Sequence, residues 1–183
     1  MREVCKLCDG TGKLGFQRED CCGCDGTGFI GKDTPRVFLG GTCNESTWRD
    51  DLIELLTIDY FNPVVDDWTE ECMAEEIRQR ETCDYCLYVI TPRMTGVYSI
   101  AEVIDDSNKK PEKTIFCFLD MDKSDYKMKT DNDGNTVRNY VCSFNKAQKK
   151  SLTQVGKMVE RNGGKFSNSL QDVADFLNKC GDK

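Results

Sequence analysis

Alternating apolar runs and amphipathic segments fill the chain after Asp33, and this pattern limits the fold more than any other sequence feature. The clearest apolar run is DYCLYVI at residues 84–90. A near-continuous apolar run of this length is typical of a central strand covered on both faces. The alternation therefore predicts an α/β domain over residues 33–183, with helices on both faces of a parallel sheet.

The apolar runs predict four strands, and the segments between them predict the helices. The strands are expected at residues 36–39, 57–61, 84–90 and 114–119. The helices are expected to start near Ser46, at Asp67 or Thr69, at Thr95, at Ser151 and at Ser169. The polar stretch at residues 121–139 predicts a long loop, in which an Asp-Gly turn allows a hairpin.

The motif CxxCDGTG occurs twice near the N-terminus, at residues 5–12 and 21–28. Two CxxC turns supply four thiolates for a tetrahedral zinc ion, and their glycines permit tight turns around the metal. The predicted ligands are Cys5, Cys8, Cys21 and Cys24. Cys22 is either a spectator or a ligand in a shifted register. Four thiolates leave no coordination position for water, so the predicted zinc is structural and residues 1–32 form a separate zinc-binding module.

This repeat resembles the cysteine-rich zinc modules of DnaJ-type chaperones, with two repeats where those proteins have four. The charges of the segment cancel, which favours docking of a protein partner or packing over contact with DNA. A further CxxC at Cys83 and Cys86 falls in a strand-like run without a second cysteine pair nearby. We interpret that pair as buried structural residues.

The net charge of −7 and the pI of about 4.8 give no electrostatic support for nucleic-acid binding. No stretch approaches the roughly 20 consecutive apolar residues that a membrane span requires. The residues after the N-terminus are rich in glycine where a secretory signal needs an apolar region. The sequence therefore predicts a cytosolic protein without a membrane partner.

Ligands of open α/β sheets bind beyond the carboxyl ends of the strands, where the strand order reverses. The glycines after the first strand match neither GxGxxG nor a P-loop, so they are equally compatible with close ligand approach and with a plain turn. The candidate substrate-binding residues at these strand ends are Gly40, Gly41, Thr42, Asn62, Thr91, Pro92 and Asp120.

The third predicted helix places Val97, Ile100, Ala101 and Ile104 on one apolar stripe, which leaves Tyr98 and Glu102 on a neighbouring face. A carboxylate near the positive end of a helix stays ionised and can attack a sugar carbon. Taken alone, Glu102 is also compatible with a solvated surface residue. The chain contains no histidine, so acid, base and nucleophile roles fall to carboxylates, tyrosine or lysine.

The segments VFLGGT, STWRDDLIELL, DYFNPVVDDW, CDYCLYVITP and MTGVYSIAEVID closely resemble the nucleoside 2-deoxyribosyltransferase-like proteins, many of them from phages or bacteria. The resemblance covers residues 35–120 most strongly. It implies a flavodoxin-like (Rossmann-type) sheet, a nucleoside or nucleotide substrate, no organic cofactor and a homo-oligomer. A phage-encoded member would work in the cytoplasm of its host.

The resemblance also assigns residue roles. Glu102, in SIAE, matches the family nucleophile. Glu76 is the closest counterpart of a second carboxylate on the preceding helix, and Tyr98 would orient the nucleophile or handle protons. Where the transferases carry an aspartate ahead of the nucleophile, this chain has Met94, Thr95 and Gly96.

The sequence is compatible with three functions. The first is N-glycosyl transfer through a covalent glycosyl-glutamate. The second is an N-glycosidase that hydrolyses nucleosides, nucleotides or NAD. The third is a module that binds a nucleotide signal without converting it.

Overall fold

The computed structural model describes residues 3–4, 6, 9, 11, 13–14, 19–20, 29–30, 34–43, 46–65, 69–122, 126–130, 136–140 and 142–181. The chain divides into two compact units, Met1–Thr34 and Pro35–Lys183. The predicted zinc ligands Cys5, Cys8, Cys21 and Cys24 lie outside the described residues.

The first unit contains four two-residue strands that form two antiparallel pairs. One pair joins β1 (Glu3–Val4) to β4 (Phe29–Ile30). The other joins β2 (Lys13–Leu14) to β3 (Glu19–Asp20). Strands this short bury little apolar surface, so the unit depends on some other source of stability.

The second unit is built around a five-stranded parallel sheet with helices on both faces, as predicted. Its strands are β5 (Arg36–Gly41), β6 (Asp59–Phe61), β7 (Tyr85–Ile90), β8 (Thr114–Phe118) and β11 (Lys165–Ser167). An antiparallel hairpin joins β9 (Tyr126–Thr130) to β10 (Thr136–Tyr140), which confirms the hairpin in the polar stretch.

In the part of the chain that the structure describes, five α-helices connect or follow these strands. They are α1 (Trp48–Ile53), α2 (Glu70–Thr82), α3 (Tyr98–Lys109), α4 (Lys146–Asn162) and α5 (Leu170–Gly181). The side chain of Thr69 caps α2 by accepting a hydrogen bond from the Cys72 amide. Gly163 ends α4 in the left-handed conformation that a C-terminal glycine favours.

The strand order is β11-β8-β7-β5-β6, which is the order of the flavodoxin-like fold. Because all five strands are parallel, their carboxyl ends meet at one edge of the sheet. The order reverses between β5 and β7, which are hydrogen-bonded neighbours. This pair forms the switch point at which such folds bind ligands.

The two faces of the sheet carry separate cores. Leu52 of α1 and Val173 and Leu177 of α5 pack on one face. Val103 of α3 and Leu152 and Val159 of α4 pack on the other. Strands β7 and β8, which are the third and fourth predicted strands, are buried almost throughout, as their continuous apolar sequences predict.

Several element boundaries differ from the sequence prediction. Gly40 and Gly41 lie inside β5 and not after it. Helix α3 begins at Tyr98, and Thr95 does not cap it. Strand β11 is not predicted at all, since its three residues, KFS, are too few and too polar to form an apolar run. Within the described residues, no helix combines the length and apolarity that crossing a membrane requires.

Candidate active site

A small cavity opens at the carboxyl edge of the sheet, at the switch point between β5 and β7. Its volume is about 160 Å³. The wall is formed by the end of β5, the loop before α3 and the first turn of α3. The lining residues are Gly41, Thr42, Cys43, Met94, Thr95, Gly96, Tyr98 and Ser99. This position is the one that the strand order favours for a ligand.

The floor of the cavity depends on a close backbone approach at Gly41. Its φ of +119° lies in the region that glycine favours, and a Cβ there would lie 2.1 Å from the carbonyl oxygen of Val89. The next amide, of Thr42, donates to the same carbonyl at 2.9 Å. The Thr91 amide in turn donates to Oγ1 of Thr42 at 3.0 Å. Hydrogen bonds thus hold Thr42 and Thr91, two predicted substrate residues, side by side.

Two side chains of α1 fix the loop that follows β5. Nε1 of Trp48 and Nη1 of Arg49 donate to the carbonyl oxygen of Thr42 at 2.8 and 2.7 Å. Nε of Arg49 also donates to the carbonyl of Leu39 at 3.1 Å. Arg49 is buried, and its guanidinium fixes the end of β5 through these hydrogen bonds.

Helix α3 turns a different face to the protein from the predicted one. The predicted apolar stripe is wrong at Val97 and Ala101, which are exposed, whereas Ile100 and Ile104 are partly buried and pack against the core. The buried face instead carries Glu102, Val103, Asp106 and Ser107. Glu102 is therefore a buried carboxyl and not the solvated residue that a surface position would give.

Arg80 of α2 holds Glu102 in this buried position. Its Nη1 donates to Oε1 of Glu102 at 3.1 Å, and its Nη2 donates to the backbone carbonyl of Glu102 at 3.2 Å. The side chain of Glu102 is 10% exposed. Its second oxygen, Oε2, has no hydrogen-bond partner among the described residues, yet it is not sealed from solvent. Oε2 is thus the oxygen of this carboxyl that is available to a ligand.

Asp106 is the second anchor of Arg80. Nε and Nη2 of Arg80 donate to the two carboxylate oxygens of Asp106 at 3.0 and 2.7 Å, a bidentate pair. The hydroxyl of Tyr88, on β7, donates to Asp106 Oδ2 at 2.5 Å. Lys110 Nζ lies 3.5 Å from the same oxygen. Arg80, Asp106 and Tyr88 were not predicted as site residues, because their partners lie far away along the chain.

Burial raises the pKa of Glu102 to about 7. The nearby Arg80 guanidinium opposes this shift, whereas the carboxyls of Glu76 and Asp106 add to it. Burial likewise raises the pKa of the half-buried Glu76, and Arg80 and Arg49 oppose that change. Two interacting carboxyls with raised pKa values are typical of acid and base sites.

The other predicted residues occupy different parts of the same edge. Tyr98 is 74% exposed and lies at the cavity rim, four residues before Glu102 on α3. Oδ1 of Asn62 accepts from the Val64 amide at 3.1 Å. Asp120 forms an exposed ion pair with Lys149 at 2.6 Å. The carbonyl of Pro92 accepts from Sγ of Cys142 at 3.7 Å.

The sequence pattern does not predict a buried polar cluster that lies close to the switch point. Asp122 is buried, and Oγ of Ser46 donates to its Oδ2. Oγ of Ser46 also lies 3.3 Å from Oγ1 of Thr91. Asp122 lies two residues after the predicted Asp120, beyond the end of the apolar run, where no sequence pattern distinguishes one aspartate from the other.

A larger cavity of about 590 Å³ lies between α1, α5 and the segment after β8. Trp48, Leu119 and Asp122 line it, whereas Tyr98 lines the smaller cavity; Glu102 and Glu76 line neither of the two. We assign the chemistry to the smaller cavity, because the strand order reverses there and the first turn of α3 leads from it to Glu102.

The described residues contain no group of three or more histidine, cysteine, aspartate or glutamate side chains arranged to hold a metal ion. The four cysteines of the N-terminal repeat lie outside them. The zinc site therefore stays a prediction from the repeat.

Comparison with known proteins gives one family. Residues 34–120, nearly half of the chain, match the family described as "Nucleoside 2-deoxyribosyltransferase like". The matched segment runs from just before β5 to just after β8 and contains Gly41, Glu76, Arg80 and Glu102. No curated protein and no solved structure matches the chain.

Proposed function

We propose that the α/β unit catalyses N-glycosyl transfer on a nucleoside or nucleotide, with Glu102 as the nucleophile. One observation carries this proposal. Glu102 is a buried carboxyl with Oε1 bound by Arg80 and Oε2 without a hydrogen-bond partner among the described residues, and it lies one helical turn after the residues of α3 that line the switch-point cavity. The family match of residues 34–120 supports a nucleoside as the substrate.

The proposed reaction has two displacements at the anomeric carbon. Oε2 of Glu102 attacks C1′ of the sugar, the C1′–N bond breaks, and the base leaves with the bonding electron pair and takes up a proton. The product is a covalent glycosyl ester of Glu102. A ring nitrogen of a second base then attacks C1′, and the ester C1′–Oε2 bond breaks to release the Glu102 carboxylate. The N–H proton of the incoming base returns to the group that protonated the leaving base, so two inversions give net retention.

The proton that the leaving base takes up needs a donor. We assign this role to Glu76, the counterpart of the second family carboxylate, because it interacts with Glu102 and burial raises its pKa. Tyr98 is a hydroxyl at the cavity rim and would orient the nucleophile or the base. Glu102 itself must be ionised to attack, so we expect the rate to fall as the pH drops below about 7.

The cavity volume of about 160 Å³ is small for a whole drug-sized ligand, whose sites occupy roughly 300–1,000 Å³. We therefore assign it to the sugar, with the base extending over the exposed rim formed by Thr95, Gly96 and Tyr98. Gly41 and Thr42, which line the cavity, would form the sugar contacts, and the buried Gly40 and Thr91 would support them from behind. Asn62, Pro92 and Asp120 already have protein partners and would contribute at the periphery.

The two alternative functions use the same site. In an N-glycosidase, water and not a base resolves the ester, and the exposed rim at Tyr98 would admit water. In a binding module, the cavity holds the nucleotide and no bond breaks.

Incubation of the pure protein with a panel of nucleosides and nucleotides, with and without a second free base, tests all three. Mass detection of a new nucleoside that requires the second base is the expected result. Free sugar or sugar phosphate without exchange would indicate hydrolysis. Saturable binding without any product would contradict catalysis.

For the N-terminal unit we propose one structural zinc ion held by Cys5, Cys8, Cys21 and Cys24. Two CxxC turns of the repeat provide its four thiolates. Elemental analysis is expected to give one zinc per chain, and Cys8→Ser should lose the metal while the sheet of the α/β unit stays folded. A zinc content of zero or two in the native protein would contradict the assignment.

A further inference from the structure

The charged cluster formed by Arg80, Asp106, Tyr88 and Glu102 contains a residue that the family resemblance does not assign. Arg80 lies on α2, and its hydrogen bonds reach Glu102 and Asp106 on α3. Its side chain is 17% exposed. A largely buried guanidinium that links two helices and contacts the proposed nucleophile can fix the orientation of that nucleophile.

We infer that Arg80 is the positioning residue for the Glu102 carboxylate: it binds Oε1, directs Oε2 toward the substrate and is itself held by Asp106 and Tyr88. This inference rests on the proposed function. Arg80 contacts no substrate atom, and it acts only through Glu102. The planar guanidinium matches both tasks, because one edge forms the bidentate pair with Asp106 while Nη1 stays free to bind Glu102.

Three hydrogen bonds hold the Arg80 guanidinium in place, and the guanidinium in turn holds the Glu102 carboxylate. Asp106 accepts two of its N–H groups, and the Tyr88 hydroxyl binds Asp106 from β7. Nη2 also binds the backbone carbonyl of Glu102, which ties the guanidinium to the same turn of α3 as the carboxyl. A lysine ammonium lacks the planar fork of donors, so it could not form the bidentate pair with Asp106 together with the bonds to Glu102 in this geometry.

Arg80 also favours the ionised form of Glu102, against the effect of burial. The groups that face Glu102 are Arg80 and Glu76 from α2 and Asp106 from its own helix. Tyr88 from β7 and Lys110 reach it only through Asp106, and Asp105 lies 3.5 Å from Nη2 of Arg80. Arg80 is the group among these whose charge directly favours ionisation of Glu102. Its loss would leave a buried carboxyl facing two other carboxyls.

The test is an NMR titration of the glutamate side-chain carboxyls in ¹³C-labelled protein, with Glu102 assigned by the signal that Glu102→Gln removes. In Arg80→Gln, the midpoint of Glu102 is expected to rise by roughly 1 to 2 pH units, the effect of removing a neighbouring opposite charge. Arg80→Lys should shift the midpoint less, in the same direction. This second variant is included because Arg80→Gln leaves buried Asp106 without its main partner and destabilises the fold.

Arg78→Gln is the matched control. Arg78 lies on the same helix and forms an exposed pair with Glu75 at 2.6 Å, with no contact to Glu102. Its replacement should leave the Glu102 midpoint unchanged. If the midpoint moves no further in either Arg80 variant than in Arg78→Gln, with native-like ¹H–¹⁵N spectra in all of them, the inference is overturned.

Kinetics separate this result from the proposed function. In a protein that turns over nucleosides, the acid limb of kcat in Arg80→Gln should move with the Glu102 midpoint, and kcat at pH 7 should fall roughly tenfold or more. A shifted midpoint in a protein without any turnover would refute the proposed function while leaving the Arg80–Glu102 coupling established. An acid limb that stays in place while the midpoint moves would refute the positioning role.

Discussion

Replacement of Glu102 by glutamine is expected to reduce N-glycosyl transfer by at least about a thousandfold, because the amide cannot form the glycosyl ester. The same variant is expected to be more stable than the native protein at pH 8. The native fold buries a carboxyl that is ionised at this pH, and it has only one guanidinium to compensate it. Loss of activity together with a gain in stability is typical of a residue retained for function.

The stability change follows from the pKa of Glu102, which is about 7 in the fold against an ordinary value of 4.5. Between these two pH values, the unfolded chain carries the ionised carboxylate while the folded protein holds a proton. The contribution of Glu102 to stability is therefore complete below about pH 4.5 and is lost as the pH rises through about 7. Glutamine has no such titration, so the variant should gain about 2 kcal/mol relative to the native protein between pH 5 and pH 8.

Urea denaturation of both proteins at pH 5 and pH 8, together with initial rates on the best nucleoside substrate, measures both effects. Glu75→Gln is a suitable control, because Glu75 is partly exposed and pairs with Arg78 away from the cavity. A Glu102→Gln protein that keeps native turnover would exclude Glu102 as the nucleophile. Equal stability differences at the two pH values would show that the carboxyl does not titrate between them.

Gly41→Ala is expected to be the most destabilising single methyl addition at the cavity. The new Cβ would lie 2.1 Å from the Val89 carbonyl oxygen, in a backbone conformation with φ of +119°. Neither the strand pairing nor the backbone of β7 can move without breaking the sheet. The free energy of unfolding should fall by about 3 kcal/mol or more, a large part of the total for a domain of this size.

Gly96→Ala provides the matched control for this prediction. Gly96 lines the same cavity, but an added Cβ there has no heavy atom within 4 Å. Its stability should stay within about 1 kcal/mol of the native value. Thermal unfolding of the two variants side by side tests the geometry of the switch point. A Gly41→Ala protein as stable as Gly96→Ala would contradict the close approach of β5 and β7.

Much of the fold could be predicted from local sequence patterns. The third and fourth strands are continuous apolar runs, and their burial on both faces confirms what such runs predict. The N-cap of α2 is an equally local signal, and Thr69 is confirmed as that cap. Strand β11 could not be predicted this way, because it is a strand only through its pairing with β8, far away in the sequence.

The site was only partly predictable for the same reason. The helical periodicity places Glu102 on a face beside the predicted apolar stripe. The sequence pattern of a polar helix face is the same whether that face contacts solvent or a buried arginine. The burial of Glu102 depends on Arg80, which lies 22 residues earlier and on another helix. The pairing of Arg80 with Asp106 spans 26 residues. Neither contact leaves a repeat or a spacing in the sequence, so both emerge only from the fold.

The most direct measurement of the central claim is the mass of the peptide that contains Glu102 after brief incubation of the protein with substrate and rapid acid quenching. We expect a mass increase equal to one glycosyl residue on this peptide in the native protein. The increase should disappear on addition of a second base and should be absent from Glu102→Gln. Turnover of the substrate without an adduct on this peptide, or an adduct on a different residue, would contradict the assignment of Glu102 as the nucleophile.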